Sequence, residues 1–127
     1  MTLSHTIPVF ASADVGASLI FCEQMLGFRR EWTEGTPVTD AGVRRDGVGL
    51  IFAYHPELAE RARGTTVLIF LSGVETLCAE HMARGAQIIA PLADEDGLRS
   101  YTVLLPPGYH LRFAEGLEMI ARRTSKP

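Results

Sequence analysis

A chain of 127 residues with 46% hydrophobic and 21% charged residues has the size and composition of one globular domain with a core of its own. Its formal net charge of −3 argues against a nucleic-acid partner, because phosphates need a basic patch, and is compatible with a cationic ligand or with an ordinary surface. No apolar stretch approaches the ~18 residues of a membrane span, and the opening MTLSHTIPVF lacks the pattern of a signal peptide, so a cytoplasmic location with no membrane partner is expected.

In chain order, residues 6–15 (TIPVFASADV) form an apolar, β-rich run that predicts a strand and leads straight into a helical pattern. Asp14 is placed to cap that helix, its carboxylate accepting free backbone N–H groups of the first turn. Val15, Leu19, Cys22 and Leu26 then fall on one face, and Gly27 suits a left-handed stop. Three strands are predicted next, at residues 28–33, 38–44 and 48–54. Arg45-Asp46-Gly47 joins the last two and is a hairpin signal, since Asp-Gly tolerates positive φ. Residues 55–64 form a connector in which Pro56 to Arg63 reads as a short polar helix.

The pattern then repeats. Residues 65–74 (TTVLIFLSGV) match residues 6–15 at an offset of 59 positions. The second helix carries Val74, Leu77, Cys78 and Met82 on one face and closes at Gly85. Strands are predicted at 87–90, 100–105 and 109–114, with Pro106-Pro107-Gly108 in the turn that matches Arg45-Asp46-Gly47. Residues 116–127 form a tail that begins helical and frays. The two cysteines, Cys22 and Cys78, lie in predicted helices and read as buried reduced thiols rather than a disulfide.

The fold class is therefore α+β: one domain over residues 1–127, made of two βαβββ modules in tandem, residues 5–54 and 65–115. One such module leaves the concave face of a four-stranded sheet wet. Pairing two modules buries it, and the gap between the curved mixed sheets becomes a ligand cavity.

Ile7-Pro8-Val9-Phe10, Asp14-Val15, Phe21 and Leu26-Gly27-Phe28 resemble the opening pattern of the vicinal oxygen chelate superfamily, and more narrowly that of the metal-free bleomycin resistance (glyoxalase-like) proteins. The hairpin Arg44 to Val48, the segment from Thr65 to Gly73-Val74-Glu75-Thr76-Leu77, and the close Leu105-Pro106-Pro107-Gly108 to Phe113 resemble theirs too. The last looks like their Asp-Pro-x-Gly-Asn turn. The resemblance runs in order over residues 5–115.

In the superfamily's metal enzymes the ligands come from the first and last strands of each half. The matching positions here hold Ile7, Ile51, Thr66 and Arg112, none a usual ligand, and Arg112 would repel a divalent cation. His5 lies two residues off register and is the one candidate that could rescue a metal site; no metal and no cofactor are expected. If those four positions face inward, alternation adds Val9, Ala11, Gly49, Ala53, Leu68, Phe70 and His110. The wall is then mostly apolar, with Arg112 and His110 as polar handles; a simply packed core is the competing reading.

Trp32 stands where the resemblance implies an aromatic that stacks on a drug, and a tryptophan merely covering the sheet edge is the other reading. Asp40 and Leu68 replace two further aromatics of the family, so the aromatic clamp is incomplete. Two acidic groups, Glu31, Glu34, Asp40 and then Asp94, Glu95, Asp96 in a loop before Ser100, either attract a cation or are solvated turns.

The resemblance implies a small-molecule binding protein, with a planar or cationic antibiotic as ligand, acting by sequestration as a strand-sharing homodimer. Its expected ligand-binding residues are Trp32, Ile7, Val9, Gly49, Ile51, Thr66, Leu68, Phe70, Tyr101, His110 and Arg112. The alternative is a metal-independent lyase, isomerase or cyclase with His110 as base and Tyr101 or Arg112 steadying negative charge. A metal-dependent glyoxalase or dioxygenase fits the residues least.

Overall fold

A computed structural model describes residues 1–125 of the chain; the last two positions of the predicted tail, Lys126 and Pro127, lie outside the described residues. The chain divides into two compact units, one of Met1–Arg63 with Pro106–Gly108, the other of Gly64–Leu105 with the chain from Tyr109 onward.

The first unit begins with strand β1 (Val9–Ser12) and helix α1 (Val15–Leu26). The helix starts where the sequence predicts, because Asp14 Oδ1 accepts from the N–H of Ala17 at 3.0 Å. It stops at Gly27, whose φ of 70° few side chains tolerate. Val15, Leu19, Cys22 and Leu26 all face the core as expected, joined by Ser18, whose hydroxyl pairs with that of Ser12 at 2.9 Å. Burial pushes the Cys22 thiol up to about 12 and Cys78 upward too, and both cysteines are free.

Strands β2 (Arg29–Glu34), β3 (Asp40–Arg45) and β4 (Val48–Tyr54) follow, and α2 (Pro56–Arg61) closes the unit. The sheet order is β1-β4-β3-β2, with β1 parallel to β4 and the other pairs antiparallel. At the β3–β4 turn it is Asp46, at φ 52°, that takes the left-handed conformation.

The second unit repeats the scheme with β5 (Thr66–Phe70), α3 (Val74–Arg84), β6 (Ile88–Glu95), β7 (Leu98–Leu105) and β8 (Tyr109–Gly116), in sheet order β5-β8-β7-β6. A final helix, α4 (Leu117–Thr124), has no buried residue.

Two expectations need correction here, and one difference between the units is new. Met82 is exposed, and the α3 core face is Val74, Cys78 and His81. Residues 91–95 belong to β6 rather than to a loop, so β6 and β7 form a hairpin turning at Asp96-Gly97, both with positive φ. The α3 start is also built differently from that of α1. Gly73 has no side chain to offer, and Glu115 of β8 supplies the carboxylate instead, Oε1 accepting from the N–H groups of Gly73 at 3.0 Å and Val74 at 3.1 Å. Arg123 of α4 pairs with the same carboxylate. That guanidinium, followed by the two backbone donors, holds Glu115 down to about 2.

Candidate functional site

Each sheet has one side against its own long helix and one side away from it, and the strand register assigns every residue to one of the two. In the first unit Val9, Ile51, Gly42 and Trp32 are successive cross-strand partners, so they form one row across all four strands on the side away from α1. Phe10, Ala41 and Phe52, one residue along, form the adjacent row on the α1 side and are buried.

This row is apolar and partly open. Val9 is 62% exposed and Trp32 39%, and Ile51 is half-buried. The indole covers Gly42: a Cβ placed there would lie 2.3 Å from Trp32 Nε1. The row to one side holds Arg29, Arg44 and Gly49. Arg44 lies over Gly49, 3.0 Å from where its Cβ would be, and donates to Glu31 at 3.0 Å. The row to the other side holds Glu34, Asp40, Ala53 and Ala11. Ile7 is half-buried and precedes β1.

In the second unit Leu68, Arg112, Thr102 and Ala90 form the central row on the side away from α3. Thr66, His110 and Leu104 flank it on one side, and Phe70, Ala114, Ser100 and Ala93 on the other. Leu68 is 43% exposed and Phe70 60%; His110 and Arg112 are half-buried. Arg112 Nε donates to Ser100 Oγ at 3.0 Å.

Tyr101 does not join this face. Its cross-strand partner is Phe113, on the α3 side, and the ring is only 1% exposed. Its hydroxyl lies 2.8 Å from His81 Nδ1 and its ring stacks on Phe113. The expected placement of Tyr101 among the ligand-binding residues is thereby corrected, and so is its part in steadying negative charge beside His110, which the register puts on the opposite side of the sheet. The acidic group 94–96 changes meaning as well. Asp94 is bound side-on by Arg99, which also pairs with Glu75 of α3. That guanidinium holds the Asp94 carboxyl below the usual carboxylate range.

Ile7, Ile51, Thr66 and Arg112 offer none of the usual metal donors, and among the described residues no three His, Cys, Asp or Glu side chains are grouped to hold a metal ion. His5 meets its neighbour Ser4, Nδ1 to Oγ at 2.7 Å. No described helix is long and apolar enough to cross a membrane.

No protein-family model matches the chain, and a search of curated proteins gave no match. Solved structures do match along nearly its whole length. TioX from Micromonospora sp. ML1 is 24% identical with a TM-score of 0.77, over 90% of this chain and 99% of that one. The bleomycin-binding protein from bleomycin-producing Streptomyces verticillus, complexed with copper(II)-bleomycin, is 24% identical with a TM-score of 0.76, over 91% and 98%. A glyoxalase/bleomycin resistance protein/dioxygenase from Nocardioides is 23% identical with a TM-score of 0.72, over 92% and 87%. The chain thus has the α+β fold of the bleomycin-binding proteins and of the wider glyoxalase/bleomycin resistance/dioxygenase group, as the sequence resemblance implies.

Proposed function

We propose that this protein binds a small planar antibiotic without a metal and protects by sequestering it. The observation that carries the reading is the row Val9–Ile51–Gly42–Trp32, in which a glycine lets an indole lie over the sheet in line with two apolar side chains. An aromatic plane held this way offers contact area at little entropic cost. Ile7, Ile51, Thr66 and Arg112 are the wrong donors for a metal, which favours binding over metal-dependent chemistry.

The proposal includes a homodimer sharing strands, with the open sheet faces of two copies covering one another and both chains lining each ligand site. The apolar side chains left on those faces, Val9, Leu68 and Phe70, support it. Two buried free thiols fit a reducing, cytoplasmic setting.

Titrating the emission of Trp32 with bleomycin and a panel of planar aromatic antibiotics tests the reading. Saturable quenching at micromolar concentration, with the compound recovered unchanged after long incubation, is the expected result. Absence of any spectral response across the panel overturns binding, and recovery of a rearranged product replaces sequestration with metal-independent lyase, isomerase or cyclase chemistry at His110.

A further inference from the structure

The second unit's open face carries a charge that the fold leaves unanswered. Arg112 is half-buried in the central row between Leu68 and Thr102. Its hydrogen bond to Ser100 occupies Nε, and among the described residues it has no other partner. Arginines elsewhere in this unit are matched: Arg99 by Asp94 and Glu75, Arg84 by Glu80, Arg122 by Glu118 and Arg123 by Glu115. Those that are matched sit at the helix side, on helices or at the rim. Arg112 alone stands among apolar and neutral side chains of the open face.

The acidic residues of the unit cannot reach it. Asp94 and Glu115 share the row of Arg99, on the α3 side of the sheet. Glu95 faces the open side but lies in the row of Leu98 and Gly116, two rows from Arg112 and on the edge strand. A half-desolvated guanidinium with no counter-charge costs stability unless something supplies one.

The geometry also limits what can supply it. A guanidinium offers a side-on fork, through Nε and one terminal nitrogen, and an end-on fork through the two terminal nitrogens. The Ser100 bond takes Nε and steadies the group, leaving the end-on fork, whose two parallel N–H groups match the two oxygens of a carboxylate. Leu68 and Phe70, both exposed on the same face, give the rest of such a molecule an apolar bed.

We infer that the ligand of this protein carries a carboxylate or a similar planar oxyanion, bound end-on by Arg112. The inference rests on the ligand-binding reading above and narrows it: the compound is an aromatic acid rather than a purely cationic drug. Arg112 is then a specificity-determining residue, and Ser100 positions it.

Calorimetric titration with three probes of one shape tests this: 2-naphthoate, 2-naphthamide and 2-naphthylmethylammonium. The carboxylate is expected to bind about tenfold or more tightly than the amide, and the ammonium most weakly. Arg112→Met, which keeps an apolar stem without the charged fork, should abolish the preference, so that naphthoate and naphthamide bind alike. Arg112→Lys keeps the charge without the fork and should retain only part of the preference. Thermal melting verifies that both variants fold. Equal binding of all three probes, preference for the ammonium, or a carboxylate preference that survives in Arg112→Met overturns the inference and leaves small-molecule binding standing. Failure of all three probes to bind overturns both together.

Discussion

The indole of Trp32 lies so close over the backbone of Gly42 that a methyl group there would meet Nε1 at 2.3 Å and Cε2 at 2.7 Å. Gly42 is thus the seat of the aromatic platform. Gly42→Ala should lift the ring into water, at a cost of about 1–3 kcal/mol for the overpacking. A red-shifted Trp32 emission and weaker aromatic ligand binding are expected, with the circular dichroism of the fold retained. An unshifted spectrum with full binding would contradict the platform.

Acid stability should report on Glu115. Its carboxyl is held at about 2 in the folded protein against an ordinary 4.5, first by Arg123 and then by the Val74 and Gly73 N–H groups. The ionised form is the one the fold favours, so its contribution is complete above about pH 4.5 and is lost as pH falls from there towards 2. With Arg123 half exposed and screened by water, the effect is about 1–3 kcal/mol. Glu115→Gln should be less stable at neutral pH and should lose part of the wild-type slope between those limits. Melting temperatures measured across that range check it; parallel curves would remove Glu115 from the account.

Tyr101→Phe separates structure from chemistry. The hydroxyl meets His81 Nδ1 in a site that is nearly dry, so its removal should destabilise the protein by about 1–2 kcal/mol in denaturant unfolding. Ligand affinity should be unchanged, because the ring lies on the α3 side of the sheet. A variant of normal stability with impaired binding would reverse this assignment.

Leu68 tests the proposed pairing of copies. It is 43% exposed in the single chain, so a glutamate is tolerated there by an unpaired molecule but not in a covered face. The native protein is expected to sediment at twice the 13.9 kDa chain mass, and Leu68→Glu to shift towards the single-chain value with its secondary structure intact. A wild-type protein that sediments as a single chain would exclude the shared site.

The repeat, both long helices and most strands were legible because each depends on local patterns. Asp14, Gly27 and the 15, 19, 22, 26 face are read within one or two helical turns. The α3 face is ambiguous in sequence, since positions 74, 78 and 81 are as helical in spacing as 74, 78 and 82, and hydropathy prefers Met82 to a histidine. Contacts made outside the helix, with the Tyr101 hydroxyl and the Phe113 ring, make His81 a core residue. β6 runs on past the predicted end at Ala90 and through Pro91, a residue type that argues against a strand. It is an edge strand with irregular register at that point, which accommodates the proline. Tyr101 itself was placed by residue type, when its side of the sheet depends on whether it opposes Arg112 or Phe113. That parity is set by a pairing between distant segments, which no local pattern displays.

The two copies of the unit begin their long helices by different means, one local and one long-range. Asp14 bonds the third residue after itself, so α1 carries its own start within its opening turn. The start of α3 depends on Glu115, 41 positions beyond Val74, and on the arginine of α4 that steadies it. A chain that stops before β8 therefore keeps the carboxylate that caps α1 and lacks the one that caps α3. The two halves share one scheme, yet only the first holds its helix cap within its own opening turn.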